Sequence, residues 1–237
     1  MISNSIREAD AKLNSISSRF SFNLDPINED HEREKFLSCL EYNPIFQYNK
    51  ENNYDGLIEE LQALAISNDT DIGHILGEKK EEYFNQLMLL NSIAKPKFAE
   101  NSINCFGIPR KGLIKFALEL VKKNQEGLDQ KELDREEIIP SLNYSLKQFG
   151  LDWTIVERQM AIKATVNHSK KKLYINKELR ITRDIIARLI AHEIGTHILR
   201  AENGRKQELS IFFDGFPNYS MTEEGLARES HERFYGF

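Results

Sequence analysis

The sequence predicts an α+β fold that is mainly helical, with a small mixed sheet beside one long helix near the C-terminus. Three observations support this class. Apolar residues recur at helical spacing through the first two-thirds of the chain, two short β-like runs follow, and a strongly amphipathic segment comes after them. We expect a mainly helical region over residues 1–150 and a region of sheet and helix over residues 151–237, which could also form one continuous domain.

The helices of the first region are indicated by apolar periodicity. They are expected over residues 6–16, 55–66, 79–94, 111–123 and 134–149. Pro140 begins or breaks the last of them. Breaks rich in Asn, Asp, Ser, Gly and Pro are expected at residues 23–28, 49–54, 67–73 and 96–109.

Two short strands are predicted to precede the last long helix. Residues 161–166 and 172–175 have the composition of strands joined around a turn. Thr182 can cap a following helix, and Asp184 suits the positive end of the helix dipole. Apolar residues then continue on one face to about residue 201. An extended substrate could add to the edge of a sheet in this position.

Within this helix, two histidines flank an acidic residue. Residues 192–197 read His-Glu-Ile-Gly-Thr-His, and Glu224 follows inside Thr-Glu-Glu-Gly-Leu-Ala. Two histidines and a later glutamate can bind zinc and leave one coordination position open for water. Glu193 stands where a general base is needed. The pattern therefore predicts a zinc hydrolase, with metallopeptidase as the leading interpretation and His192, His197 and Glu224 as ligands.

The spacing of the histidines predicts a local distortion of the helix. In a regular α-helix, five residues turn by about 500°, so the two side chains would point roughly 140° apart. A one-residue π-bulge returns them to one face, and Gly195 lowers its cost. We therefore predict a bulge between His192 and His197.

Further candidates are chosen by residue type alone. Glu223 is expected to orient a ligand histidine. Tyr219, His231 and Arg200 are candidates for stabilising an oxyanion. Either Arg200 or Arg205 could bind a substrate carboxylate, because arginine binds carboxylates through two parallel hydrogen bonds. The sequence does not select among them.

Four short segments occur in order along the chain. They are residues 43–48 (Asn-Pro-Ile-Phe-Gln-Tyr), 106–109 (Phe-Gly-Ile-Pro), 192–197 (His-Glu-Ile-Gly-Thr-His) and 223–227 (Glu-Glu-Gly-Leu-Ala). In this order they resemble the family of microtubule-associated tyrosine carboxypeptidases and their bacterial relatives, described by a Gln-Glu-Gly-Leu-Ala motif. The resemblance covers roughly residues 30–228.

The resemblance implies a carboxypeptidase that cleaves near the C-terminal tail of a peptide or protein. It implies that His192, His197 and Glu224 bind zinc and that Glu193 activates water. Dipeptidyl peptidase III is similar in its five-residue histidine spacing with a later Glu-Glu pair, so the implied fold is gluzincin-like. Family members continue well beyond the Glu-Gly-Leu-Ala segment. We therefore expect residues 151–237 to form a catalytic, zinc-binding region that is truncated relative to the family. The alternative is a non-catalytic zinc-binding regulatory or interaction protein.

Composition excludes several other classes. The net charge of −5 gives no indication of a basic surface that could bind nucleic acid. No apolar stretch approaches the roughly 20 residues of a membrane span, and the N-terminus lacks the pattern of a secretory signal. Cys39 and Cys105 stand far apart and in no metal or redox spacing. We therefore expect a cytoplasmic protein without a membrane or nucleic-acid partner, and the sequence leaves its oligomeric state open.

Overall fold

The computed structural model describes residues 2–22, 24, 26–48, 53–123, 135–160, 162–180 and 182–235. They are mainly helical and include a three-stranded mixed sheet, which confirms the predicted α+β class. The chain divides into two units, Met1–Gln125 and Glu126–Phe237. Within the described ranges, no helix combines the length and the apolar character that crossing a bilayer requires.

The described part of the first unit is helical. Its helices are α1 (Asn4–Ser17), α2 (Glu29–Ser38), α3 (Asp55–Ala63), α4 (Asp71–Asn91), α5 (Phe98–Phe106) and α6 (Lys111–Lys123). Helices α1, α3 and α5 pack against α4. Four side chains of this unit are fully buried: Ile16, Leu61, Leu76 and Leu87. Burial of each such side chain stabilises the folded state by about 1.5–3 kcal/mol.

Three of these helices differ from the prediction. Helix α4 begins at Asp71 instead of residue 79, because the Thr70 hydroxyl accepts a hydrogen bond from the Gly73 N–H (3.1 Å) and caps its start. Helix α5 lies in the expected break at residues 96–109, where its apolar periodicity and its packing against α4 outweigh the loop-like composition of the segment. Helix α2 was not predicted, since its residues show almost no apolar periodicity.

Glu32 of α2 is a buried carboxylate that forms a hydrogen bond with residues 43–48. That segment is one of the four that carry the family resemblance. Oε2 of Glu32 accepts hydrogen bonds from the Tyr42 hydroxyl and the Ile45 N–H, both at 2.7 Å. The hydrogen bond from Tyr42, then that from Ile45, and the nearby Lys35 ammonium outweigh desolvation and lower the pKa of Glu32 to about 2. The ionised form of Glu32 therefore stabilises this segment.

Replacing Tyr42 with phenylalanine is expected to raise the pKa of Glu32 toward 4.5, because the largest stabilising hydrogen bond is lost. The folded pKa lies below the unfolded one. The stabilisation is therefore present above about pH 4.5 and is lost as the pH falls toward 2. An NMR pH titration of the Glu32 carboxyl carbon measures the shift. Tyr144→Phe, at an exposed tyrosine, is the control, and an unchanged pKa in Tyr42→Phe would contradict this role.

The second unit surrounds a long helix that carries both histidines. A 3₁₀ turn (Arg135–Glu137) is followed by α7 (Ile138–Gln148), β1 (Thr154–Arg158), β2 (Ala164–Asn167) and β3 (Lys172–Asn176). The histidine helix then consists of α8 (Arg183–Leu189), the π segment (Ile190–Ile198) and α9 (Leu199–Arg205). Helices α10 (Ile211–Asp214) and α11 (Ser220–Tyr235) complete the described part of the unit.

The sheet has the strand order β1-β3-β2. Central strand β3 runs parallel to β1, with Leu173 opposite Ile155, and antiparallel to β2, with Leu173 opposite Val166. The predicted β2–β3 pair is confirmed, with small shifts at the strand ends. Strand β1 was not predicted, because its sequence, Thr-Ile-Val-Glu-Arg, does not alternate between apolar and polar residues. Strand β2 packs against the π segment.

One apolar core holds the sheet and the histidine helix together. It joins α7, β3, α8 and the π segment through ten buried side chains. They are Ile138, Leu142, Leu146, Trp153, Leu173, Ile175, Ile186, Leu189, Ile194 and Ile198. Thr182 caps α8 as predicted, by accepting a hydrogen bond from the Ile185 N–H (3.2 Å). The histidine-bearing turns are therefore fixed by packing on the sheet.

Candidate metal centre

The π segment occupies the interval where the histidine spacing predicted a bulge. Its backbone is π-helical from Ile190 to Ile198, with α-helix on both sides. The Thr196 hydroxyl donates a hydrogen bond to the carbonyl of Ala191, five residues earlier (3.1 Å). The rings of His192 and His197 are neighbours, with centroids 4.9 Å apart. The predicted departure from α-helical geometry is confirmed, and it brings both imidazoles to one face.

Helix α11 packs against the π segment and brings Glu224 to both histidines. Oε2 of Glu224 lies 3.3 Å from Nε2 of His192, and Oε1 lies 3.4 Å from Nε2 of His197. Glu223 and Ala227, one turn apart, are the buried residues among the described side chains of α11. Glu223 therefore lies on the face of α11 that packs against the π segment.

Glu223 contacts the other nitrogen of His197. Its Oε1 lies 3.2 Å from Nδ1 of His197 and accepts a hydrogen bond from Nε of Arg200 (2.7 Å). Because Nδ1 faces Glu223, Nε2 of His197 faces Glu224. The order Arg200, Glu223, His197 thus links α9, α11 and the π segment through charged groups.

Arg200 is held by several protein groups at once. Its guanidinium donates to the carbonyl of Phe213 (2.6 Å), and it lies over the ring of Tyr219 at 5.0 Å from the centroid. The Tyr219 hydroxyl lies 3.5 Å from the guanidinium. Gly204 allows α10 to approach α9, since an added Cβ would lie 2.1 Å from the carbonyl oxygen of Phe212. These contacts leave Arg200 facing Glu223 and α10.

The carboxyl group of Glu193 is buried beside the histidines. Ligand-type atoms of His192, Glu193 and His197 all lie within 4.8 Å of one another. Burial raises the pKa of Glu193 to about 7, which His197 opposes and the Glu224 carboxylate reinforces. Glu193 can therefore hold or release a proton near neutral pH.

The pKa values of the neighbouring side chains shift in directions that follow from their burial and their partners. Burial lowers the pKa of His192, and the nearby His197 adds to this effect. Burial also acts to lower the pKa of His197, but the hydrogen bond with Glu223 and the surrounding carboxylates raise it overall. Burial acts to raise the pKa of Glu223, yet its hydrogen bonds with His197 and Arg200 lower it to about 2. Glu223 therefore remains an anion.

His168 adjoins this region and was not selected by sequence reasoning. Its ring contacts those of Trp153 and Phe213 edge-on, each with centroids 6.2 Å apart. Burial, with the charge of Arg200, lowers the pKa of His168 to about 4, so the ring is neutral. Within the described residues, its Nε2 is a buried atom without a hydrogen-bond partner. An isolated histidine in a turn gives no sequence signal for such a position.

The remaining candidates are placed as follows. Arg205 donates a hydrogen bond to the carbonyl of His168, lies 3.3 Å from Glu202 and stacks on Phe213. The side chain of His231 lies outside the part of the chain that the structure describes. Arg200 and Arg205, the two candidates for binding a substrate carboxylate, therefore both bind other residues of the protein.

Two imidazole nitrogens and a carboxylate converge beside a buried glutamate, which defines a candidate metal-dependent hydrolase site. The chain belongs to the microtubule-associated tyrosine carboxypeptidase family, whose sequence model matches residues 34–228. This confirms the resemblance carried by the four segments and assigns the chain to a family of carboxypeptidases. Comparisons with curated proteins and with solved structures find no match.

Proposed function

We propose that this protein is a zinc-dependent carboxypeptidase in which His192, His197 and Glu224 hold the ion. The observation that carries the proposal is the approach of both Nε2 atoms to the two oxygens of Glu224, at 3.3 and 3.4 Å. Zinc bonds of about 2.0–2.1 Å in a tetrahedral site place neighbouring ligand atoms about 3.3 Å apart. The donor set therefore fits zinc in both chemistry and spacing.

Zinc bound at such a site supplies Lewis acidity toward a water molecule and a substrate carbonyl. Glu193 is the proposed general base, which takes a proton from the water and passes it to the leaving amine. Its burial supports this role, because a base works best when its pKa lies near the operating pH. A structural zinc site would need no such neighbour.

Glu223 and Arg200 support the site from outside the ligand set. The anionic Glu223 holds Nδ1 of His197, which orients Nε2 toward Glu224. Arg200 fixes Glu223 in turn and connects it to α10. With β2 and α11 both packed against the π segment, the arrangement supports a gluzincin-like assignment and an active-site role for the histidine helix.

The substrate class that fits best is the C-terminal tail of a peptide or protein. The family's name describes a carboxypeptidase that acts on tyrosine and associates with microtubules. A tail ending in tyrosine is therefore the first substrate to test for this chain.

The test combines metal removal with cleavage. Purified protein is expected to bind about one zinc ion per chain and to release the last residue of peptides ending in tyrosine. A chelator should abolish the release and added zinc should restore it, as followed by elemental analysis and mass spectrometry. His197→Ala and Glu224→Ala should lose the metal. His74→Ala, at an exposed histidine of α4, is the control.

Two outcomes would contradict the proposal. Cleavage that persists after complete zinc removal would exclude the metal-dependent mechanism. A wild-type protein that binds no zinc when zinc is supplied would exclude the proposed centre. Zinc binding without cleavage of any tail would instead favour the non-catalytic zinc-binding alternative.

A further inference from the structure

An aromatic cluster adjoins the contacts that support the candidate metal centre. It consists of Trp153, His168 and Phe213. His168 lies in the turn between β2 and β3, and its ring meets each of the other two edge-on, with interplanar angles of 82° and 84°. Edge-to-face contacts are a favoured arrangement of aromatic rings. The ring of His168 therefore holds α10, which carries Phe213, against the turn of the sheet.

Helix α9 holds this aromatic cluster in place through two charged side chains. The indole Nε1 of Trp153 donates a hydrogen bond to Oε1 of Glu202 (3.1 Å). Arg205 donates a hydrogen bond to the carbonyl of His168 and lies over the ring of Phe213, 4.1 Å from its centroid. One arginine thus binds both the turn and α10, which keeps His168 and Phe213 together.

The backbone of Phe213 connects the aromatic cluster to the metal centre. Its carbonyl accepts a hydrogen bond from Nη1 of Arg200 (2.6 Å). Nε of Arg200 donates to Oε1 of Glu223 (2.7 Å), and the same oxygen lies 3.2 Å from Nδ1 of His197. Hydrogen bonds weaken steeply when the acceptor moves out of line. A displacement of Phe213 would therefore reach His197 through these two hydrogen-bonded side chains.

The ring of His168 acts by packing rather than by hydrogen bonding. Within the part of the chain that the structure describes, its Nε2 is buried without a hydrogen-bond partner. Such a nitrogen costs free energy, because its lost contact with water is not replaced. Burial also lowers the pKa of His168 to about 4, so the ring carries no charge near neutral pH. Phenylalanine, an aromatic ring without this nitrogen, should therefore replace it.

We propose that His168 is a positioning residue for the imidazole of His197, through the contacts that link α10 to Arg200. The proposal rests on the proposed function in one respect, since it takes His197 as a zinc ligand. It gives the turn between β2 and β3 a part in metal affinity, although the proposed ligands all lie on the π segment and α11. Removing groups that orient a metal ligand typically costs about 10–100-fold in affinity.

The first experiment compares His168→Ala with His168→Phe by competition for zinc with a chelator. Removing the ring should raise the Kd for zinc roughly tenfold, because Phe213 is no longer held and the orientation of His197 is relaxed. His168→Phe keeps the edge-on contacts and should bind zinc within about twofold of the wild type. The control is Ile138→Val, in the buried core on α7. It should lower the free energy of unfolding but leave the Kd within about twofold.

A double-mutant cycle tests the connection between the two sites. If His168 acts through Arg200, adding His168→Ala to Arg200→Met should raise the Kd for zinc no further than Arg200→Met does alone. The same pair should show less than additive losses in the free energy of unfolding of metal-free protein.

Trp153, the one tryptophan in the sequence, gives a readout that needs no substitution at position 168. Coupling between two sites is reciprocal, so zinc that fixes His197 should also act on the aromatic cluster. Zinc should therefore change the fluorescence emission of Trp153 in the wild type. The change should be absent in zinc-saturated Arg200→Met, which lacks the connection.

Four results would overturn the proposal. They are an unchanged zinc Kd in His168→Ala, additive effects of the two substitutions, and Trp153 emission that does not respond to zinc in the wild type. The fourth is an equal loss of zinc affinity in His168→Ala and His168→Phe, which would show that the nitrogen is needed and not the packing of the ring. If His168→Ala does not fold, His168→Leu replaces it, since leucine stays apolar but has no ring edge.

Failure of this inference is distinguishable from failure of the proposed function. The cycle on metal-free protein needs neither zinc nor turnover. Less than additive losses in a protein that binds no zinc would therefore contradict the zinc peptidase alone. Zinc-dependent cleavage, together with an unchanged zinc Kd in His168→Ala, would contradict the positioning role alone.

Discussion

Glu193→Gln is expected to lower kcat by about 10²–10⁴-fold while leaving the zinc content unchanged. Glutamine has nearly the same shape as glutamate but cannot accept the proton of the attacking water. The carboxyl group is buried beside both histidines, and burial places its pKa at about 7, so the substitution removes a group suited to proton transfer near neutrality. Steady-state kinetics and elemental analysis of the same preparation measure both quantities.

The measured zinc content distinguishes a general base from a zinc ligand at position 193. Because ligand-type atoms of His192, Glu193 and His197 lie within 4.8 Å of one another, Glu193 itself could be a ligand. In that case Glu193→Gln would lose zinc together with activity, which would contradict the role assigned to Glu224. The control is Glu81→Gln, at an exposed glutamate of α4, and it should change neither quantity.

Arg200→Met is expected to lower the free energy of unfolding by about 3 kcal/mol and to weaken zinc binding about 10–100-fold. It leaves the largely buried Glu223 without the donor at 2.7 Å, so the carboxylate loses the group that fixes its orientation toward His197. Arg200→Lys keeps the charge but lacks the planar guanidinium that donates to both Glu223 and the Phe213 carbonyl. It should therefore restore stability and zinc affinity only in part. Chemical denaturation and competition with a zinc chelator provide the two readouts.

A double-mutant cycle identifies the partner. If Arg200 acts through Glu223, the double variant Arg200→Met with Glu223→Gln should lose less free energy of unfolding than the sum of the losses in the two single variants. Additive costs, or an unchanged zinc affinity in Arg200→Met, would show that the contact does not support the site. Arg183→Met, at an exposed arginine at the start of α8, is the matched control.

The helix geometry around the histidines was predictable from sequence because it depends on spacing alone. Two side chains that are five positions apart and must share a face require a wider helical turn, and the π segment provides it. The Thr182 cap and the β2–β3 pair were predictable for the same reason, since both depend on neighbouring residues. Helix α2 was not, because its sequence has almost no apolar periodicity and its place depends on contacts of Glu32 with a distant segment.

The supporting contacts of the site could not be read from the sequence. Arg200 was a candidate by residue type, but its partners come from α10 and α11, and no spacing rule relates these two helices to Arg200. The carbonyl of Phe213 carries no sequence signal as an acceptor, because every residue has one. The approach of α10 to Gly204 depends in the same way on three-dimensional packing.

The π segment also bears on how proteins of this kind are recognised. A pattern search that requires the second histidine four positions after the first treats a histidine five positions later as a different motif. Here the extra residue is absorbed within two turns, and regular α-helix resumes at Leu199. An insertion inside a helix therefore need not change which side chains meet. Searches for such centres should compare helix faces rather than count residues.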